Sequence, residues 1–213
     1  MDLYFSPLSC SMATRIALYE SGDAANFLEV DPKTKKLVGD GSDYLGVYPL
    51  GMVPSLRTDD GQLLTENAAI LQYVADRRPA SGLAPTDPVE RTRLHQWLCF
   101  IGTELHKALF VPLLDKKAPP EMKAHVLAKS LSRLAYVDRY LTGRQFLLDR
   151  FSVADAYLAT VLNWTQVIPS IDMGRYPAIA DYLARLRQRA SVAKAMSEEA
   201  ALWRAELARH QAA

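Results

Sequence analysis

The sequence predicts a small α/β unit followed by an all-helical one, and three observations carry that division. Short aromatic or β-branched runs alternate with helically spaced residues through the first 80 positions. The stretch RRPASGLAPTDP (Arg77–Pro88) then interrupts the pattern with three prolines and a glycine. Beyond it apolar residues recur at helical spacing almost without a break. The resulting division is 1–79, a linker over 80–88, and helices over 89–213.

Each element has a local reason. DLYF (Asp2–Phe5) reads as a strand closed by Ser6 and Pro7. Met12, Ile16 and Tyr19, with Ala13 and Ala17 beside them, mark a helix that Gly22 stops, since glycine takes the left-handed cap without a Cβ clash. NFLEV (Asn26–Val30) is a second strand, closed by Asp31 and Pro32, and the polar segment 33–46 predicts a loop with at most one helical turn. MVPSLRTDDGQLLTE gives strand, turn and strand: Val53–Leu56, a turn at Asp59-Asp60-Gly61, then Gln62–Leu64. A helix over Glu66–Asp76 follows, with Ala69, Ile70, Tyr73 and Val74 expected on its buried side. The order β-α-β, loop, β-β-α is that of a sheet covered by helices.

After the linker, Leu94, Leu98, Ile101 and Leu105 step by four, three and four, the seam of a long helix over Val89–Phe110. Further helices are predicted over Pro120–Leu141, Val153–Val167, Pro177–Ala190 and Ser191–His210. FSVADAYL holds the plainest helix start: Ser152 is placed to cap, and Asp155 three residues on to reach back to the Ser152 amide. Both are read as structural.

With 49% hydrophobic residues and a net charge of +1, the 213-residue chain can bury a core but has no field to gather phosphates. Nucleic acid is therefore not an expected partner. Lys33, Lys35 and Lys36 form a compact basic cluster that fits a solvated loop and a local anion site equally well. MDLYFS lacks the pattern of a secretory signal, and no stretch reads as the roughly 18 apolar residues of a membrane span. Two distant cysteines, Cys10 and Cys99, suit a reducing compartment, so the expectation is a cytoplasmic protein with no membrane partner.

Four places invite chemistry. Cys10 falls where the first helix begins; helix-start amides favour a thiolate, while an inert apolar thiol fits the position as well. Pro54 opens a strand, where its missing N–H does no harm, and a cis Val53-Pro54 bond would turn the preceding backbone groups outward as an edge for a peptide-like ligand. Position alone does not decide the isomer. Glu66 and Asn67 lie where a strand gives way to a helix: the helix amides suit a carboxylate and Glu66 suits an amine, so together they fit an α-amino acid head group. His95, Cys99, Gly102 and His106 share a helical face, but at 1.5 Å rise per residue the row spans about 16 Å, too far for one ion, and no metal is expected. Hydrolase, P-loop and dinucleotide motifs do not occur.

Taken together, YFSPLSCSMATRIALYESG, YPLGMVPSLRTDDGQLLTENAAILQYVAD, TELHKALFVPL and FSVADAYLATVLNW resemble the glutathione S-transferase superfamily, specifically its bacterial beta class, over essentially the whole chain. The resemblance implies a thioredoxin-like N-terminal domain, an all-α C-terminal domain and a homodimer. It implies glutathione as co-substrate, with a cis Val53-Pro54 bond and the Val53 backbone pairing with the cysteinyl part. It places Met52 beside that site, Glu66 and Asn67 on the γ-glutamyl head, and Lys35 and Lys107 at the anionic end. Glu104 would reach the partner subunit's site. Cys10 would lie beside the glutathione sulfur, with His106 as the second polar group there, and Phe110, Val111, Pro112 and Trp164 would build an apolar electrophile pocket. The family often has N-P-K-G-Q-V-P where this chain has YPLGMVP, so Tyr48, Leu50 and Met52 replace polar residues, while Asn67 stands for a small residue and Cys99 for an asparagine.

Three functions follow for testing. The leading one is a transferase that conjugates the glutathione thiolate to small hydrophobic electrophiles, with a role in detoxification. A second makes Cys10 the nucleophile of a thiol-disulfide reductase or reductive dehalogenase that cycles through a mixed disulfide. A third is a ligand carrier or interaction module that keeps the fold without catalysis.

Overall fold

The computed structural model describes residues 1–212 and divides into two compact units, Met1–Leu83 with the segment from Ala190 onward, and Ala84–Arg189. In the first unit, β1 (Asp2–Phe5), β2 (Asn26–Glu29), β3 (Ser55–Arg57) and β4 (Leu63–Leu64) form one sheet in the order β2-β1-β3-β4. β1 pairs parallel with β2, Leu3 opposite Phe27, and antiparallel with β3, Leu3 opposite Leu56. α1 (Met12–Ser21) packs against α2 (Asn67–Arg77), which places the loops carrying Cys10 and Glu66 side by side in the chain's architecture. Gly22 ends α1 at φ 72 and donates its N–H to the Leu18 carbonyl, as its sequence position predicts.

The strands are shorter than the sequence suggests. Val30 leaves β2 to form an isolated bridge with Leu37, and β3 begins only after Pro54, which has no N–H to give to a ladder. α2 starts at Asn67, because Glu66 sits at φ 63 outside helical geometry. Its buried side is Asn67, Ile70, Leu71, Val74 and Ala75, whereas Ala69 is exposed and Tyr73 half-buried. The apolar stripe is rotated by one residue, because Leu71 and Ala75 complete the i, i+4 ridge that meets α1.

The last helix, α8 (Ala190–Ala212), belongs with the sheet, not with the helical unit to which its position in the chain assigns it. It packs on α1, where Arg15 is nearly fully buried between the Phe5 and Phe27 rings, 4.3 and 4.1 Å from their centroids. A buried guanidinium needs a carboxylate partner, and α8 supplies it: Arg15 Nε donates to Glu199 Oε1 at 2.9 Å. Helical spacing shows that α8 has a buried face but not which surface covers it.

In the second unit, α3 (Pro88–Phe100) runs unbroken through a π-helical stretch (Ile101–Phe110) into α4 (Val111–Leu114). By length and composition this continuous Pro88–Leu114 helix could cross a membrane, contrary to the sequence expectation, yet its Leu94, Leu98, Ile101 and Leu105 seam is fully buried in the unit's core. α5 (Pro120–Leu141), α6 (Val153–Asn163) and α7 (Pro177–Arg187) complete it, with α6 buried along its length and followed by a 3-10 turn, Trp164–Val167. Asp155 closes the capping box on the Ser152 amide at 2.9 Å and also accepts from the Ser152 hydroxyl, the Leu147 N–H and the Tyr182 hydroxyl. Burial raises its pKa against those bonds.

Candidate functional site

Cys10 stands two residues before α1, in a turn that runs from Ser6 and carries Leu8 at φ 57. The helix has begun to form there, since the Ala13 N–H donates to the Cys10 carbonyl at 3.2 Å. The thiol itself points across the unit and donates to the Val53 carbonyl at 3.3 Å. The Val53-Pro54 bond is cis. From α2, Asn67 Nδ2 donates to the Cys10 carbonyl at 3.1 Å, and Thr14 Oγ1 donates to Asn67 Oδ1 at 2.9 Å, which fixes the amide's orientation. Asn67's side chain is thus spent on holding the cysteine turn, so it offers a ligand its backbone rather than its amide. Glu199 Oε2 accepts the Leu8 N–H at 2.7 Å, and burial pushes this carboxyl up to about 7 against the pull of Arg15 and of that N–H.

The backbone opposite Cys10 is held by Tyr44. Its hydroxyl donates to the Met52 carbonyl at 2.8 Å and lies 2.8 Å from Ser55 Oγ, so one fully buried side chain fixes the chain on both sides of Val53-Pro54. Burial raises the Tyr44 hydroxyl to about 12, which keeps it a donor at any working pH. Leu50 and Met52 are exposed. Gly51, at φ 59, must be glycine: a Cβ there would stand 2.9 Å from Leu45 Cδ2 and 3.2 Å from Lys35 Cδ. The Lys35 stem therefore lies along the loop that presents Met52 and Val53. Glu66, next to Asn67, is exposed and makes no capping bond with its side chain. Hydrogen bonds thus link the Cys10 thiol, the Val53 backbone and the start of α2.

In the helical unit, His106 is buried and its Nδ1 lies 2.7 Å from the Tyr157 hydroxyl. Burial, with the Lys107 charge adding to it, lowers its pKa to about 4, so the ring is neutral near pH 7. It packs on Trp164 with centroids 5.1 Å apart, and Trp164 meets Phe110 edge-on at 5.7 Å. Val111 is exposed and Pro112 half-buried at the start of α4. The predicted row of His95, Cys99 and His106 does not share a face: His95 and Cys99 are exposed while His106 is inside. The π-helical turns after Phe100 are wider than α turns and rotate His106 inward, and Pro112 follows with no N–H to restore the α register. Glu104 Oε2 accepts from Arg133 Nε at 2.6 Å, and Lys107 is exposed.

Sequence reasoning missed Tyr44, Tyr157, Thr14 and Glu199. Tyr44 carried one signal, a large aromatic inside a polar loop; the others look like ordinary residues of amphipathic helices.

Residues 3–82 match the family model described as glutathione S-transferase, N-terminal domain, and residues 123–185 the one described as glutathione S-transferase, C-terminal domain. Glutathione S-transferase GstA of Escherichia coli O157:H7 is 40% identical over 201 residues, 93% of this chain and 98% of that protein. Among solved structures, a sphingomonad glutathione S-transferase complexed with glutathione is 43% identical, with a TM-score of 0.89 over 94% of this chain and 99% of its own. A bacterial beta class glutathione S-transferase from Sphingomonas chungbukensis is 42% identical, with a TM-score of 0.88 over 93% of this chain and 98% of its own.

Proposed function

The chain belongs to the glutathione S-transferase family, and from that premise we propose how its own residues bind glutathione and conjugate it. The observation that carries the reading is the Cys10 thiol on the Val53 carbonyl. A tripeptide whose cysteinyl backbone pairs with Val53 brings its own sulfur beside Cys10. Met52 and Pro54 flank that pairing. Glu66 receives the γ-glutamyl ammonium, and the backbone amides that open α2, Asn67 among them, receive its carboxylate. Lys35 takes the glycyl carboxylate, with Lys107 as a second cation for the anionic end.

The thiol loses its proton, its sulfur forms a bond to an electrophilic carbon, and the leaving group departs with its electron pair. The gain comes from positioning and from a lowered thiol pKa. His106, neutral through burial, is too weak a base to take the thiol proton, which passes to solvent; it offers the sulfur a polar ring and not a cation. Phe110, Val111, Pro112 and Trp164 offer the apolar surface that a hydrophobic electrophile needs. The protein works as a cytoplasmic homodimer in detoxification, with Glu104 and its Arg133 partner facing the second subunit.

Calorimetric titration with glutathione and conjugation of an aryl halide test the reading. Cys10→Ala is expected to keep conjugation. Binding absent at millimolar glutathione, or conjugation abolished while Cys10-dependent disulfide exchange is retained in the parent protein, would overturn it.

A further inference from the structure

Lys35 is displayed by a tight turn built on Asp31. The Asp31 carboxylate accepts the N–H groups of Lys33 at 2.9 Å and Thr34 at 2.8 Å. Its carbonyl accepts the Lys35 N–H at 3.0 Å, and its own N–H donates to the Lys36 carbonyl at 2.9 Å. At the centre Lys35 sits at φ 58, a left-handed conformation that a lysine does not hold without support. The support comes from far along the chain. His210, near the end of α8, donates from Nε2 to Asp31 Oδ2 at 2.7 Å, and both side chains are largely buried. Arg209 pairs with Glu29 of β2, and Glu206, one turn back, lies 3.8 Å from His210 Nδ1. Two successive residues of one helix therefore grip the strand end and the turn that follows it.

We propose that Arg209 and His210 form a clasp that fixes the Asp31 turn and so holds Lys35 in position for the glycyl carboxylate of glutathione. His210 touches no substrate; it is a positioning residue that acts through Asp31. A charge-assisted hydrogen bond at a largely buried carboxylate holds more firmly than an exposed ion pair. The inference rests on the reading of Lys35 given above and names what makes that lysine effective.

The test is steady-state kinetics on the intact protein with two thiol substrates, glutathione and its glycyl monoethyl ester, which has no carboxylate for Lys35. His210→Ala is expected to raise KM for glutathione about fivefold, which corresponds to about 1 kcal/mol, and to leave kcat within about twofold. With the ester, parent and variant are expected to share one KM. His210→Gln, which can still donate to Asp31, is expected to recover most of the loss, and His210→Ala added to Lys35→Ala is expected to cost nothing further. An equal rise in KM for both thiols would mark a merely structural role and overturn the clasp, as would an unchanged KM for glutathione. If Lys35→Ala leaves KM for glutathione unchanged, the Lys35 reading fails and takes the clasp with it. An effect of Lys35→Ala without one of His210→Ala sinks the clasp alone.

Discussion

His106 shows what burial does to a single group. Its pKa of about 4 lies below the ordinary histidine value, so the unfolded chain binds a proton that the folded chain refuses. Its neutral burial is therefore fully compatible with stability above about pH 6.5, and stability falls as the pH drops from there towards 4, by an amount on the order of 3 kcal/mol. The ring C–H resonances of His106 should titrate with a midpoint below pH 5 in the folded protein. A midpoint near 6.5 would show the ring to be solvated. Asn67 makes a second prediction at this scale. Asn67→Ala removes the donor to the Cys10 carbonyl and the acceptor of Thr14, and is expected to cost about 1–3 kcal/mol in urea unfolding. The same change should weaken glutathione binding, because the cysteine turn loses its anchor to α2.

At the scale of elements, the contact between α1 and α8 includes a buried ion pair, Arg15 with Glu199, beside the more exposed Arg15–Glu198 pair. Glu199→Ala leaves Arg15 nearly fully buried, between two phenylalanine rings, with its main carboxylate partner gone. That change is expected to cost about 3–5 kcal/mol, measured by denaturant midpoint at constant slope. Replacing Arg15 and Glu199 together by apolar residues of similar size should recover much of the loss, since it removes both desolvated charges. Element boundaries also show the limits of local pattern. α5 has the limits its sequence predicts, and the Gly22 stop of α1 is where glycine chemistry puts it. The π-helical stretch is different: TELHKALF carries the spacing of an α-helix, and only packing against α5 and α6, with Pro112 behind it, shifts the register. That shift is why His106 is inside while His95 and Cys99, predicted on the same face, are exposed.

For the whole molecule, the grouping of α8 with the sheet has a consequence for the chain's architecture. A chain ended at Arg189 is expected to lose amide protection in β1 and α1, measured by hydrogen exchange, while α6 keeps its own. Equal loss in α1 and α6 would contradict the division into the two units.

The sequence by itself determined the strand and helix order, the class of both domains, the capping box at Ser152 and Asp155, and the motifs that bring Cys10, Val53-Pro54 and Glu66 into one family pattern. Those features are encoded over a few residues, where periodicity, glycine and proline act directly on the backbone. Tertiary structure alone decided that Tyr44 fixes the chain on both sides of Val53-Pro54, that Asn67's amide is spent on the cysteine turn, that Glu199 answers Arg15 from 184 positions away, and that His210 reaches Asp31 across 179. A buried polar group must find a partner, and its own neighbourhood in the sequence does not say from how far along the chain that partner comes.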